Sequence, residues 1–386
     1  MSAPKRLPST PQAVKKDSVP RLIYADSERD SDMLYATGFF VPDAFLFLEK
    51  RGKRTVVLSD LEVDRGRRTA RVDEVLALSD VLQKLRLGAG TRVEQWLPGF
   101  LIKQKVLSVL VPQNFPLGLA RSLEAAGIGL NLADGLFYGG REFKSAEETK
   151  CLRHALKITA AGIERGVEVL RAATVDVKGV LRWGNAVLTS ERLRAEIDSA
   201  VLRAGGQPAN TIVAGGIQAC DPHERGSGPL RAQELIIMDV FPRDPRTGYF
   251  GDMTRTVLKG RASDAQRHLW DTVRIAQRMV LKGMKPGGSG KELHDTVQEY
   301  FTIQGFPTEV HEGRWRGFFH GTGHGLGLEI HEEPRFGRAT FTPGQVLTVE
   351  PGIYWPGIGG ARIEDVALVT ETGVRVLSSS PVELEV

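Results

Sequence analysis

At 386 residues, with 41% apolar and 25% charged residues, the chain is longer than one ordinary core fills, and its composition excludes a disordered or fibrous protein. The net charge of +4 comes from Lys and Arg interspersed with Asp and Glu, so no basic block marks a nucleic-acid surface. Two cysteines, Cys151 and Cys220, are too few for a disulfide framework or a thiolate metal cage, and no run of about 18 apolar residues offers a membrane span.

The first twenty residues are basic and contain prolines but no apolar stretch, so residues 1–20 read as a loose arm without a secretory signal, and the cytoplasm is the expected location. Over residues 21–140 short apolar strands alternate with helical segments, the pattern of a smaller α/β domain. Its clearest hairpin joins DAFLFLEK to RTVVLSD through Arg51-Gly52-Lys53. VLSVLVPQ reads as a buried strand, and 117–126 as a helix closed by Gly127.

A domain boundary is expected near Gly139-Gly140, because the capping box Ser145-x-x-Glu148 opens a long helix with an apolar face of Leu152, Leu156, Ile163, Val167 and Leu170. Ser263-x-x-Gln266 and Ser289-x-x-Glu292 announce two more helices. Strand-like runs lie between and after them: LIIMDVF, YFGDMTRTVL, QVLTVEPGIYW and ARIEDVALVT. Residues 141–386 are therefore expected to form an antiparallel sheet backed by helices, which makes the whole chain α+β.

Two glycine-rich runs invite nucleotide readings and fail. In HGTGHGLGLEIH the glycines alternate and no helix pattern follows; in KPGGSGKE, Lys285 stands where a phosphate loop needs glycine and Glu292 where it needs Ser or Thr. The carboxylates are more informative. Asp239 ends the run LIIMD, and Asp252 follows a turn-rich segment at 242–248, so a hairpin would set the two face to face, a costly arrangement unless cations lie between them. Glu350 closes the strand-like QVLTVE, and Glu364 stands two residues after Arg362, on the same face of a strand. His320, His324 and His331 come from one glycine-rich segment, and one of them should bind metal. Carboxylates with an imidazole suit hard divalent cations. A salt bridge is the plain structural role for Arg362; a functional one is to hold a substrate carboxylate.

With these residues in hand, the chain resembles the pita-bread metallopeptidase family that includes aminopeptidase P and prolidase. GDMTRT, HGTGHGLGLEIH, TVEPGIY and RIED carry the resemblance. It implies a C-terminal pita-bread catalytic domain and a creatinase-type N-terminal domain. It further implies two divalent ions, manganese first with cobalt or zinc as alternatives, held by Asp239, Asp252, His324, Glu350 and Glu364, with Asp252 and Glu364 bridging both. His223, in ACDPHERG, takes the place of a substrate-side histidine, His331 that of the histidine contacting the peptide and its tetrahedral intermediate, and His320 that of a further pocket histidine. Arg362 and Tyr354 join His223 and His331 on the substrate side. The chain departs from the family at Asp239-Val240-Phe241, where Asp-x-Gly is usual, and in a longer connection to Asp252.

The activity implied is cleavage of the peptide bond before proline, as an Xaa-Pro dipeptidase or aminopeptidase working as a homodimer. Two metals about 3.5 to 4 Å apart would share a hydroxide that attacks the scissile carbonyl, with Glu350 moving the proton and His331 or His223 stabilising the oxyanion. The alternatives on the same fold are a metal-free creatinase-like hydrolase, a methionine aminopeptidase and a catalytically silent peptide-binding module.

Overall fold

The computed structural model describes residues 19–386, and the chain divides into two compact units at Arg141 and Glu142. The arm expected over residues 1–20 lies, up to residue 18, outside the described residues.

In the first unit a six-stranded mixed sheet runs in the order Glu74–Ala77, Lys53–Leu58, Phe45–Lys50, Arg21–Ala25, Ser108–Val111, Gly129–Leu132. Strand alternation feeds two cores. Leu22, Leu46 and Leu48 pack with Trp96, Leu97 and Leu101 on one side, while Ile23, Phe45 and Phe47 pack with Met33 and Phe39 on the other. The expected hairpin is present, but Lys53 belongs to the second strand. Arg51 (φ 52°) and Gly52 (φ 80°) both take the left-handed conformation that a two-residue hairpin loop requires.

In the second unit all the named strands pair antiparallel. Three strands, Ile212–Gly215, Ile236–Val240 and Met253–Val257, form one sheet. The other main sheet has five, ordered Glu332–Arg335, His324–Gly325, Val346–Val349, Asp365–Val369, Val374–Val376. Each is backed by helices whose N-caps are the predicted ones: Ser145 before Ala146–Ala172, Ser263 before Asp264–Gly283, and Ser289 before Gly290–Ile303. A fourth helix, Ser190–Arg203, packs with the first. Among the described residues, no helix is long and apolar enough to cross a membrane.

Parity along these strands decides where the chemistry sits. Ile236, Met238, Val240, Met253 and Val257 face the helices of their sheet, which turns Asp239, Asp252 and Thr254 to the other side. Leu347, Val349, Ala367 and Val369 face the helices 264–283 and 290–303, which leaves Thr348, Glu350 and Glu364 on the opposite side. The carboxylates predicted from four separate strand-like runs thus converge on the helix-free faces.

Candidate metal centre

Asp239 pairs in register with Thr254, and Asp252 precedes Thr254 by two residues, so both carboxylates project from one face of the hairpin. Pairing of the strands 346–349 and 365–369 ends at Val349 opposite Asp365, which sets Glu350 and Glu364 side by side just past the strand ends. The backbone N–H of Glu364 donates to Thr254 O at 3.1 Å, tying the two sheets together at this point. His324 enters from the glycine-rich segment, its backbone N–H donating to Thr348 Oγ1 at 3.0 Å. Asp252, His324 and Glu364 each bring one ligand atom within 4.8 Å of the others. His324 Nε2 lies 3.3 Å from Glu350 Oε1 and 3.7 Å from Asp252 Oδ2.

The segment reaches this spot because Gly323 has no side chain: a Cβ there would lie 2.0 Å from the carbonyl oxygen of Thr348. Gly323→Ala is expected to cost about 1–3 kcal/mol by forcing those backbones apart. It should also weaken divalent-ion binding, which calorimetric titration alongside denaturant unfolding will measure.

The electrostatics demand a counter-charge. Burial first, then repulsion from Glu364, Asp239 and Glu350, pushes the Asp252 carboxyl far above its ordinary range. Burial and the same neighbours push Glu364 likewise, and burial raises Glu350 to about 7. Asp239 Oδ1 is buried and has no hydrogen-bond partner. The imidazole of His324 is held down to about 4, chiefly by burial, and its Nδ1 lies 3.1 Å from Gly325 O. A neutral ring that donates from Nδ1 presents the Nε2 lone pair to the carboxylates. An orphaned carboxylate oxygen and a lone pair aimed at oxygen atoms are what divalent cations resolve, so these residues fit divalent-metal binding.

The remaining predicted residues fall into two groups. His331 stands ring-edge to His324, 4.4 Å between centroids, and the desolvation of its inner side followed by repulsion from His324 holds it near 4. His223 lies exposed on the loop after Cys220, near enough for its charge to act on His320, His331 and Glu350. Arg362, Tyr354 and His320 form a chain. Arg362 Nη2 donates to Asp239 Oδ2 at 2.7 Å, Nε to Thr254 Oγ1 at 3.2 Å, and Nη1 to Tyr354 Oη at 2.9 Å and Pro222 O at 3.3 Å. Tyr354 Oη lies 2.8 Å from His320 Nε2, and His320 Nδ1 lies 2.8 Å from Gly321 O. Burial, then the Arg362 charge, lowers His320 to about 3, so its neutral ring donates to Gly321 and accepts from Tyr354. Four of the five guanidinium N–H groups of Arg362 are thus engaged in holding Asp239, Tyr354 and their surroundings.

Several supporting residues carry no motif in the sequence. Thr254 Oγ1 donates to Glu364 Oε2 at 2.8 Å and Thr348 Oγ1 to Glu350 Oε1 at 3.2 Å; their even positions on the strands were the available signal. His294 Nδ1 contacts Thr322 Oγ1 at 2.8 Å from the helix 290–303, and Thr322 O accepts from Glu350 N. Arg255, buried on the far side of the hairpin, donates to Glu364 O and Asp365 Oδ1 at 2.6 and 2.9 Å. Lys144 Nζ and Glu332 Oε1 form a buried ion pair at 2.5 Å, one residue beyond His331.

The unusual connection between Asp239 and Asp252 is internally anchored. The buried carboxylate of Asp244 accepts from Arg246 N and Thr247 Oγ1 and lies 3.1 Å from His154 Nδ1 on the long helix. Arg243 exchanges two backbone hydrogen bonds with Gln207, and Phe250 N donates to Gly327 O within the histidine segment.

Comparison with known proteins agrees with this architecture. Residues 150–371 match the model of metallopeptidase family M24. An uncharacterized peptidase of Bacillus subtilis (strain 168), YqhT, is 33% identical over 63% of this chain and 64% of its own length, so the chain spans just under two thirds of that relative. A Xaa-Pro dipeptidase of Pyrococcus furiosus is 30% identical over 69% of this chain and 77% of its own. Among solved structures, a Xaa-Pro dipeptidase from Bacillus anthracis superposes with a TM-score of 0.78 at 25% identity, covering 95% of both chains. An X-Pro aminopeptidase from Thermotoga maritima MSB8 gives 0.79 at 23% identity, covering 95% of this chain and 97% of its own. With more than half of its length matched by the family model and the pita-bread fold shared with these structures, the chain belongs to metallopeptidase family M24.

Proposed function

We propose that this protein is a dinuclear metal-dependent hydrolase that cleaves the peptide bond before proline, as an Xaa-Pro dipeptidase or aminopeptidase. The observation that carries the reading is the convergence of Asp252, His324, Glu350 and Glu364 on one centre, beside an Asp239 oxygen with no hydrogen-bond partner. Several relatives are Xaa-Pro dipeptidases, which supports the proline preference.

Asp239, Asp252, His324, Glu350 and Glu364 would hold the ions, with manganese the first choice. When bound, such ions supply a water acidified from about 15.7 towards roughly 7 and a Lewis acid for the scissile carbonyl. The protein's own groups do the rest. The Glu350 carboxylate takes up a proton and returns it to the leaving nitrogen, while a ring N–H of His331 or His223 donates to the carbonyl oxygen as its negative charge builds. Arg362 keeps Asp239 and Tyr354 in place, and its remaining N–H is what the carboxylate of a C-terminal proline would meet. Proline nitrogen carries no hydrogen in the scissile amide, so a site that asks for no N–H there accepts it.

Purified protein loaded with manganese is expected to bind about two ions per chain, the number the two-metal scheme requires. It should release proline from Xaa-Pro dipeptides, or the first residue from longer Xaa-Pro peptides. Elemental analysis and product chromatography check both. Two bound ions with neither peptide class cleaved would sink the reading, and no bound metal would favour the silent binding module.

A further inference from the structure

We propose that Trp315, Val310 and Phe319 form a subsite for an apolar side chain of the peptide substrate, on the residue that follows proline. This rests on the peptidase reading above and assigns it a substrate class, peptides of three or more residues with an apolar third position. The starting point is a hairpin that wears its apolar side outward. Its strands Glu309–His311 and Arg314–Arg316 pair Glu309 with Arg316 and Val310 with Trp315. Cross-strand partners share a face and successive pairs alternate. The Glu309 and Arg316 pair takes the other face, where the Arg316 guanidinium packs 4.2 Å from the centre of the Trp355 ring. Val310 and Trp315 are left 56% and 54% exposed. The ion pair is itself only half-buried, so the hairpin gains little by turning a tryptophan and a valine to solvent unless something apolar comes to cover them.

What covers it is indicated by where the hairpin leads. Gly317 and Tyr354 exchange both backbone hydrogen bonds at 3.0 Å, so the base of the hairpin is locked in register to a residue of the centre. From Trp315 the rings run inward without a break: 6.4 Å between centroids to Phe319, 5.3 Å from Phe319 to Tyr354, and 5.4 Å from Tyr354 to His320. The exposed pair is therefore the outer end of a run of rings in which Tyr354 is fully buried and touches Arg362 through its hydroxyl, while Phe319 and His320, partly exposed against it, form the wall that a substrate can touch. Arg362 and Tyr354 mark the end of the centre that receives the C-terminal side of a substrate in the reading above. An extended peptide advances about 3.3–3.6 Å per residue, so a chain continuing past proline along this wall reaches Phe319 and Trp315 with its next side chains. Flat rings offer broad apolar contact at little entropic cost, which suits aromatic and branched aliphatic side chains and gives Gly nothing.

The test compares Ala-Pro-Phe and Ala-Pro-Leu with Ala-Pro-Gly as substrates of the manganese-loaded full chain and of Trp315→Ala. The parent enzyme is expected to favour the apolar tripeptides by about tenfold in kcat/KM, the low end of what one apolar group earns in a pocket, expressed mainly in KM. In Trp315→Ala that ratio should collapse towards one, and Trp315→Phe should retain most of it. An unchanged ratio, or an equal loss for all three peptides, overturns the subsite. A shift in sedimentation of Trp315→Ala also overturns it, because the face would then belong to a contact between subunits. If the parent cleaves Ala-Pro but none of these tripeptides, the subsite falls and the peptidase reading stands; if it cleaves neither class, the peptidase reading fails, and the subsite is judged by calorimetric binding of Ala-Pro-Phe against Ala-Pro-Gly. Equal affinity overturns the subsite there too.

Discussion

Asp252→Asn is expected to abolish hydrolysis and to lower divalent-ion affinity by more than the roughly 10- to 100-fold that losing a merely supporting residue costs. The side chain keeps its size but loses the charge that the centre is built around, and Asp252 is one of the three residues whose ligand atoms crowd within 4.8 Å. The same substitution should act oppositely on the metal-free protein. Asp252 and Glu364 carry folded-state pKa values well above their ordinary ones, so in the folded state they hold protons that the unfolded chain has released. Stability from this pair is therefore fully present below their unfolded values near 4 and is lost as pH rises towards the folded ones. In chelator the parent should weaken from about pH 4 upward, Asp252→Asn should weaken less, and added manganese should restore the parent alone. Thermal unfolding at several pH values, with metal binding by calorimetry, checks each statement. Full metal affinity in the variant would remove Asp252 from the ligand set.

Lys144→Met is expected to cost about 3–5 kcal/mol, because it removes the cation that neutralises the buried Glu332 carboxylate. Both side chains are almost completely buried, and Glu332 Oε2 also accepts from Glu329 N at 3.3 Å, so the pair fastens the stretch that carries His324 and His331. Replacing both members with apolar residues of similar volume should recover most of the loss, since a buried ion pair barely repays its desolvation. Denaturant titration of the single and double variants decides the matter. A single variant within about 1 kcal/mol of the parent, the range of an exposed pair, would mean that water reaches the site.

Local signals in the sequence carried much of this molecule. The N-caps at Ser145, Ser263 and Ser289 are written within four residues, and strand parity alone turns Asp239 away from the helices that Ile236, Met238 and Val240 face. That Asp239 and Asp252 face each other was legible from the hairpin pattern, whereas the joining of Glu350 and Glu364 to them rested on the family motifs TVEPGIY and RIED. What escaped depends on partners far apart in the chain. Lys144 meets Glu332 across 188 positions and His294 meets Thr322 from a helix, and neither contact leaves a period or spacing to read. Arg362 was read either as a salt bridge or as a ligand of a substrate carboxylate; the bridge is present, but that it goes to Asp239, with Tyr354 beside it, depends on two separate hairpins coming together. Asp244 reads as an ordinary turn residue, and its burial follows from His154 on another element.

The anchored connection between Asp239 and Asp252 separates loop length from ligand spacing. In a free loop, closure entropy grows slowly, by about 0.6 kcal/mol for each doubling of length, while the ends gain freedom to drift. Here the drift is cancelled before it reaches the ends, at Arg243 by Gln207, at Asp244 by its own turn, and at Phe250 by Gly327. Added residues between these fixed points alter the surface that the loop presents while leaving the two aspartates where the hairpin sets them. A chain built this way can vary the surface between the two strands at small thermodynamic cost and keep the spacing of its two carboxylates constant.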